Sequence, residues 1–387
     1  MDKNPDSLKE CRNKIDEIDD KIVDLFARRM DVAAEIAAVK KAENLPVFDP
    51  RREREKLKDV ISKTPDGLKD DIAVLYPLIF ELSRNHQRRV SGERSELAEK
   101  IEKAVAETPA LFPENAVVAC QGTEGSNSQT ACDRLFRRAD IMFFSTFEAV
   151  FRAIETGFCR YGVIPVENST AGSVNSVYDL MMNHRFTVSR SVRIKVDHNL
   201  LAVPGTKIEN IKEIYSHEQA INQCSEFLSE FAGVNVKIIP CENTAVAAKM
   251  VAESGRRDVA ALASRSCVKL YGLECLRESV QNADNNYTRF VCISRNLEIF
   301  PGADRTSVML TLPHEAGSLY KLMSKFYALG INLTKLESRP LPGRDFEFMF
   351  YFDFETPVYS PRLLRLLGEL PDACESFTYL GSYSEVV

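Results

Sequence analysis

The chain has 387 residues, 44% of them hydrophobic, and a formal net charge of −6 at pH 7. That length predicts two to four domains rather than one core, and the acidic balance excludes a general nucleic-acid binder. No run of about 18 apolar residues occurs, the first residues carry no apolar signal segment, and ten cysteines without a C-x-x-C pair read as reduced thiols: the expectation is a cytoplasmic protein with no membrane and no nucleic-acid partner.

Residues 6–91 are almost free of glycine and read as helices. Ile15, Ile18, Ile22, Leu25, Val32, Ile36 and Val39 recur at three- and four-residue steps, an apolar seam along one long helix. Arg29 stands in that seam, with Lys40 about 20° away from it round the helix. A buried cation needs an anionic partner, either a glutamate of the chain or an anionic ligand held inside a helix bundle. In "VFDPRRERE", Asp49 suits an N-cap and Pro50 a first helical position; Asp49, Arg52 and Glu53 then share one face. Further on, Ile72, Tyr76 and Ile79 form a stripe that turns polar at Ser83 and Gln87, which alone reads as a solvated helix end.

Residues 92–114 are charged, helical in pattern and closed by two prolines, which suits a linker helix. From Val117 short apolar runs such as "AVVAC", "YGVIPV" and "VAALA" alternate with helical segments, the texture of an α/β domain. Four polar loops, "GSNS" (125–128), "VENST" (166–170), "YSHEQ" (215–219) and "CENT" (241–244), stand at strand ends and point to a crevice for a polar ligand. Each alone is an ordinary helix-capping turn. No phosphate-loop ending, no metal-ligand histidine spacing and no nucleophile elbow is present, so neither a metal nor another cofactor is expected. His217 has no acid partner nearby in sequence and reads as a cap or packing residue. "DNNYTRF" (284–290) offers Thr288 and Arg289 with no base. After residue 302 the order strand (306–312), helix (317–329), strands (331–338 and 345–354), helix (360–369), strand (376–383) predicts a small α+β sandwich.

Arg12, Arg29, Lys40, Asp49, Arg52, Glu53, Ser83 and Gln87 at these spacings resemble the all-α chorismate mutase family over residues 1–91. The resemblance implies a Claisen rearrangement of chorismate to prephenate without covalent catalysis. Arg29 and Arg12 would grip the two carboxylates, with Arg52 and Ser83 completing those contacts; Lys40 and Gln87 would meet the ether oxygen, and Glu53 and Asp49 the hydroxyl. Arg12 lies about 25 Å from Arg29 along a continuous helix and about 100° round from it. Both cannot hold one small molecule in one chain, so an interlocked homodimer, or a higher oligomer, is expected.

"GSNS", "PVEN", "YSHEQ" and "TRF" resemble the prephenate dehydratase family over residues 115–298. That resemblance implies two α/β lobes around a cleft, similar to periplasmic binding proteins. Glu218 and Asn127 stand where other members commonly carry Pro and Tyr. Prephenate loses hydroxide and carbon dioxide together, and aromatisation drives the step, so the protein must bind carboxylates and assist the departing hydroxide. Thr288 is the candidate hydroxyl donor, and Arg289 a carboxylate clamp or a structural ion pair; Asn168, Ser216, Gln223 and Thr244 would help line the site. Over residues 303–387 the strand order, "HEAGSL" and "ESRP" resemble the ferredoxin-like ACT domain. This implies that phenylalanine binds between paired domains near Gly317, Ser318, Leu319, Glu337, Ser338, Arg339 and Pro340, and feeds back on activity. The combined expectation is a bifunctional enzyme of phenylalanine biosynthesis. Arogenate dehydratase, or an amino-acid sensor with decayed catalytic parts, are the alternatives.

Overall fold

Helix signals in the N-terminal segment act as their chemistry requires. In the computed structural model, Asp49 accepts a hydrogen bond from Arg52 N at 3.0 Å and Pro50 fills the first position of α2 (Pro50–Ser62). Before it runs α1 (Pro5–Ala42), and after it α3 (Lys69–Ser91), closed by Gly92 in the left-handed conformation. The structure describes residues 5–92, 95–231 and 236–386; the first residues of the chain, Glu93 and Arg94 of the expected linker, and Val387 lie outside them. These helices form one compact unit, Met1–Glu96, and the rest forms a second, Leu97–Val387.

Within the first unit α1 packs on α3 through small residues, Ala33 and Ala37, both almost fully buried. The apolar seam does not take part: Ile15, Ile18, Ile22, Leu25, Val32, Ile36 and Val39 are all at least 43% exposed. The seam and the alanine stripe occupy different faces of α1, and α3 covers only the latter.

The second unit opens with α4 (Glu96–Glu107), followed by β1 (Asn115–Gln121), α5 (Asn127–Leu135), β2 (Arg138–Phe144), α6 (Phe147–Glu155), β3 (Tyr161–Asn168), β4 (Gly172–Ser173), α7 (Asn175–Met181) and β5 (Thr187–Lys195). Next come β6 (Asn199–Ala202), β7 (Glu213–Ser216), α8 (Glu218–Gln223), α9 (Ser225–Ser229), β8 (Lys237–Pro240), α10 (Thr244–Ser254), β9 (Val259–Ala263), α11 (Ser266–Tyr271), β10 (Glu274–Arg277) and β11 (Tyr287–Ser294). The last part is β12 (Arg305–Thr311), α12 (Ser318–Leu329), β13 (Asn332–Pro340), β14 (Phe348–Glu355), α13 (Pro361–Ala373) and β15 (Ser376–Val386). Two sheets result. One has the order β13-β14-β12-β15-β5-β11-β3-β1-β2 with β4 on β3; the other has the order β10-β6-β9-β7-β8.

Two features tie the C-terminal βαββαβ segment to what precedes it. Its strands lie in the order second, third, first, fourth, and the fourth, β15, continues into a parallel pairing with β5. Helix α4 of the linker segment is amphipathic, and Ile101 and Ala104 are buried with Val308, Leu310, Phe326 and Leu366 in one core. At the crossing of β15 and β5, Gly381 has φ +139° and a Cβ there would lie 2.4 Å from Val188 O. Gly381→Ala is therefore expected to cost about 1–3 kcal/mol through forced backbone displacement, read as a lower midpoint in urea; an unchanged midpoint contradicts this account of the crossing.

Candidate functional site

In the helical unit, Arg29 of α1 turns toward α3. Its Nη1 donates to Ser83 Oγ and, at 3.4 Å, to Ile79 O, and its guanidinium carbon lies 5.9 Å from the Phe80 ring centroid. Burial draws its pKa below the usual arginine range, opposed by Tyr76 and Glu53. Lys40 donates to Val47 O at 2.6 Å, Asp49 caps α2, and Gln87 is buried, its Oε1 without a hydrogen-bond partner among the described residues. Glu53 pairs with Arg84 of α3, a residue that no local pattern singles out because its partner is 31 positions away. The structure thus gathers Arg29, Ser83 and Glu53. Arg52 is exposed, and Arg12 lies on the exposed first half of α1, about 25 Å from Arg29 along the axis.

A cleft of about 480 Å³ opens between the two sheets of the second unit. Thr288, Asn168, Gln223 and Thr244 of the expected set line it, and among the described residues no lysine or arginine does. Two helix starts face it instead: α5, capped by Ser126, and α10, capped by Asn243. Unpaired N–H groups and the positive helix ends make this wall attractive to an anion.

The polar lining forms a hydrogen-bond network whose direction is set by backbone donors. Asn168 Oδ1 accepts from Thr170 N at 3.1 Å and from Ala171 N at 2.9 Å. Its Nδ2 must then point the other way, donating to Asn286 Oδ1 at 2.7 Å and to Thr288 Oγ1 at 3.0 Å. Asn286 Nδ2 in turn donates to Gln223 Oε1 at 3.0 Å, and Gln223 Nε2 to Thr170 Oγ1 at 2.7 Å. His198 Nε2 stands 3.0 Å from the same Gln223 oxygen and therefore carries the hydrogen; burial lowers its pKa and keeps the ring neutral. Thr288 Oγ1 accepts from Asn168, and among the described residues no acceptor takes its hydroxyl hydrogen. Asn286 and His198 were missed from the sequence, their partners being tens of residues away. His217 caps α8, accepting from Gln219 N at 3.3 Å.

Two expected residues are corrected. Ser216 does not line the cleft: it ends β7 fully buried, and its hydroxyl donates to Leu262 O of β9 at 2.8 Å. Arg289 does not reach the cleft either. Neighbouring residues on a strand face opposite sides, so Thr288 and Phe290 line the cleft while Arg289, only 3% exposed, pairs with Asp353 of β14 and stands 2.8 Å from Glu167. Burial works against its charge, yet Asp353, Tyr383, Tyr351 and Glu167 outweigh that and push its pKa up. The ion-pair reading stands and the carboxylate-clamp reading is withdrawn. Arg289→Met leaves buried Asp353 without its cation and is expected to cost about 3–5 kcal/mol, measured by urea unfolding; a wild-type midpoint contradicts it.

The expected effector residues separate within the chain. Ser318 and Leu319 line a hollow of about 360 Å³ with His314, Phe346, Phe348 and Phe350, beside Gly317 with its φ of +86°. Glu337, Ser338, Arg339 and Pro340 do not line it, because they lie on β13, whose side chains reach back to β4 and α7. Glu337 accepts from Ser173 Oγ, and Arg339 grips Asp179 with two bonds, 2.7 and 2.9 Å.

Among the described residues no helix is long and apolar enough to cross a membrane. Residues 118–298 match the prephenate dehydratase family model and residues 11–88 the chorismate mutase type II model. A bifunctional chorismate mutase/prephenate dehydratase of Aquifex aeolicus is 31% identical over 99% of this chain and 99% of its own length. An arogenate dehydratase/prephenate dehydratase of Arabidopsis thaliana is 36% identical over 69% of this chain and 71% of its own. Of solved structures, the prephenate dehydratase of Arthrobacter aurescens in complex with L-Phe superposes with a TM-score of 0.63 at 25% identity, covering 69% of this chain and 89% of that one. A protein described as a quorum-quenching acylase, GqqA, gives 0.64 at 30%, covering 70% and 98%.

Proposed function

The chain belongs to the bifunctional chorismate mutase/prephenate dehydratase family and carries both activities of phenylalanine biosynthesis; from that premise we propose how its residues divide the work. In the helical unit a pericyclic step needs no nucleophile, only a dianion held in a compact conformer and positive charge at the ether oxygen. Arg29, with Ser83 and Arg52, holds one carboxylate, and Arg12 of a second chain the other. Lys40 and Gln87 meet the ether oxygen; Glu53 and Asp49 take the hydroxyl. The uncovered seam of α1 supports this pairing of chains, because a 38-residue helix with so long an apolar face exposed calls for a partner.

In the cleft, Thr288 donates a hydrogen bond to the departing hydroxide of prephenate and keeps its proton. The observation behind this is that Asn168 Nδ2 donates to Thr288 Oγ1 while, among the described residues, no acceptor takes the Thr288 hydroxyl hydrogen. Gln223, Thr244 and the starts of α5 and α10 hold the carboxylates. Phenylalanine binds at the C-terminal segment where two chains pair, uniting the Gly317–Leu319 hollow of one with Glu337–Pro340 of the other, and biases a two-state equilibrium; the L-Phe complex of the Arthrobacter relative supports the ligand. Ten free thiols suit a cytoplasmic location.

The Arabidopsis relative favours a second reading, arogenate as substrate, while a mutase in the same chain favours prephenate. The test is one coupled assay, chorismate consumption and phenylpyruvate formation, with prephenate and arogenate also supplied directly and phenylalanine added to saturation. Prephenate turned over faster than arogenate, and a rate altered by phenylalanine, is the expected result. Arogenate preferred, or kinetics unmoved by phenylalanine, overturns the corresponding assignment.

A further inference from the structure

Arg84 of α3 has no part in the division of roles above. It pairs with Glu53 of α2, the two side chains 22% and 27% exposed, and its guanidinium carbon stands 5.0 Å from the centroid of the Phe48 ring. Ser83, the residue before it, receives the hydrogen bond from Arg29, and Glu53 is one of the charges that act on Arg29. Two arginines, one from α1 and one from α3, therefore stand about a single carboxylate at the place assigned to the substrate. That carboxylate poses a problem. Chorismate is a dianion, and at short range outside bulk water each like charge opposes its binding. Yet a carboxylate is needed there to accept from the substrate hydroxyl.

We propose that Arg84 is a positioning residue of the mutase: it fixes the orientation of the Glu53 carboxylate and cancels its repulsion of the dianion. Stacking over Phe48 holds the planar guanidinium in place, leaving Glu53 oxygen lone pairs for the substrate hydroxyl. The proposal rests on the reading that Glu53 faces the substrate, and the experiment separates the two.

Mutase KM and kcat are measured for the full-length chain and for R84M, R84K, E53Q and the double variant E53Q/R84M, with helical content checked by circular dichroism. R84M is expected to raise KM about tenfold while changing kcat by less than about threefold, the signature of lost binding rather than lost transition-state contact. R84K restores the charge but not the stacked planar guanidinium, so its KM should fall between those of the wild type and R84M. Once Glu53 is neutral there is nothing to cancel, so E53Q/R84M should bind chorismate as E53Q does. A wild-type KM in R84M, or an equal KM increase from R84M with and without E53Q, overturns the proposal for Arg84. Wild-type kinetics in E53Q alone overturns instead the placement of Glu53 at the substrate, and the proposal with it.

Discussion

Thr288→Ala is expected to lower dehydratase turnover by about a hundredfold or more while the mutase rate stays at its wild-type value. The departing hydroxide gains negative charge as the bond breaks, and a donor aimed at it acts only there, so the loss belongs in kcat rather than KM. The neighbours of Thr288 suit this proposed role. The carbonyl side of the Asn168 amide is held by Thr170 N and Ala171 N, which aims its Nδ2 at the Thr288 oxygen. Thr288→Ser, which keeps the hydroxyl, should retain most activity. Dehydratase rates unchanged in the alanine variant would refute the assignment.

The second large effect is in the other unit. Arg29→Ala is expected to abolish mutase turnover, a loss of more than about a thousandfold, with prephenate dehydration intact. In the proposed site Arg29 would supply the charge that holds a carboxylate where the reacting ends meet. Burial works against that charge, so removing it relieves a desolvation cost, and the fold should survive the change. The checks are a chorismate-disappearance assay and, on the same sample, dehydration of added prephenate. Near-normal mutase turnover would contradict the site.

What could be read from the sequence follows the range of the interactions. Helices of the first unit and the βαββαβ segment announce themselves through local periodicity and caps such as Asp49–Pro50. The seam of α1 was visible as a pattern, but periodicity says that a face is apolar and not what covers it. Arg289 was legible in hindsight: on a strand it must face away from Thr288, and the two could not share a ligand. Ser216 was not legible, because the Leu262 carbonyl that takes its hydroxyl is 46 residues on. The same holds for the network of Asn168, Asn286, Gln223 and His198, joined across 118, 63 and 25 positions. Helix α4 carried its docking face openly in Leu97, Ile101, Ala104 and Val105; a charged surface pattern hid it as a linker.

Two sites in one chain, each with its own residues, is the centre of this account, and a mixture tests it most directly. Arg29→Ala protein retains the cleft and Thr288→Ala protein retains the helical site, so either alone should convert chorismate to phenylpyruvate at no more than about a hundredth of the wild-type rate. Combined in equal amounts, they should do so far faster, prephenate leaving one protein and entering the other. Phenylpyruvate at near wild-type rate from either variant alone, or no gain in rate from the mixture, would contradict the division of labour set out here.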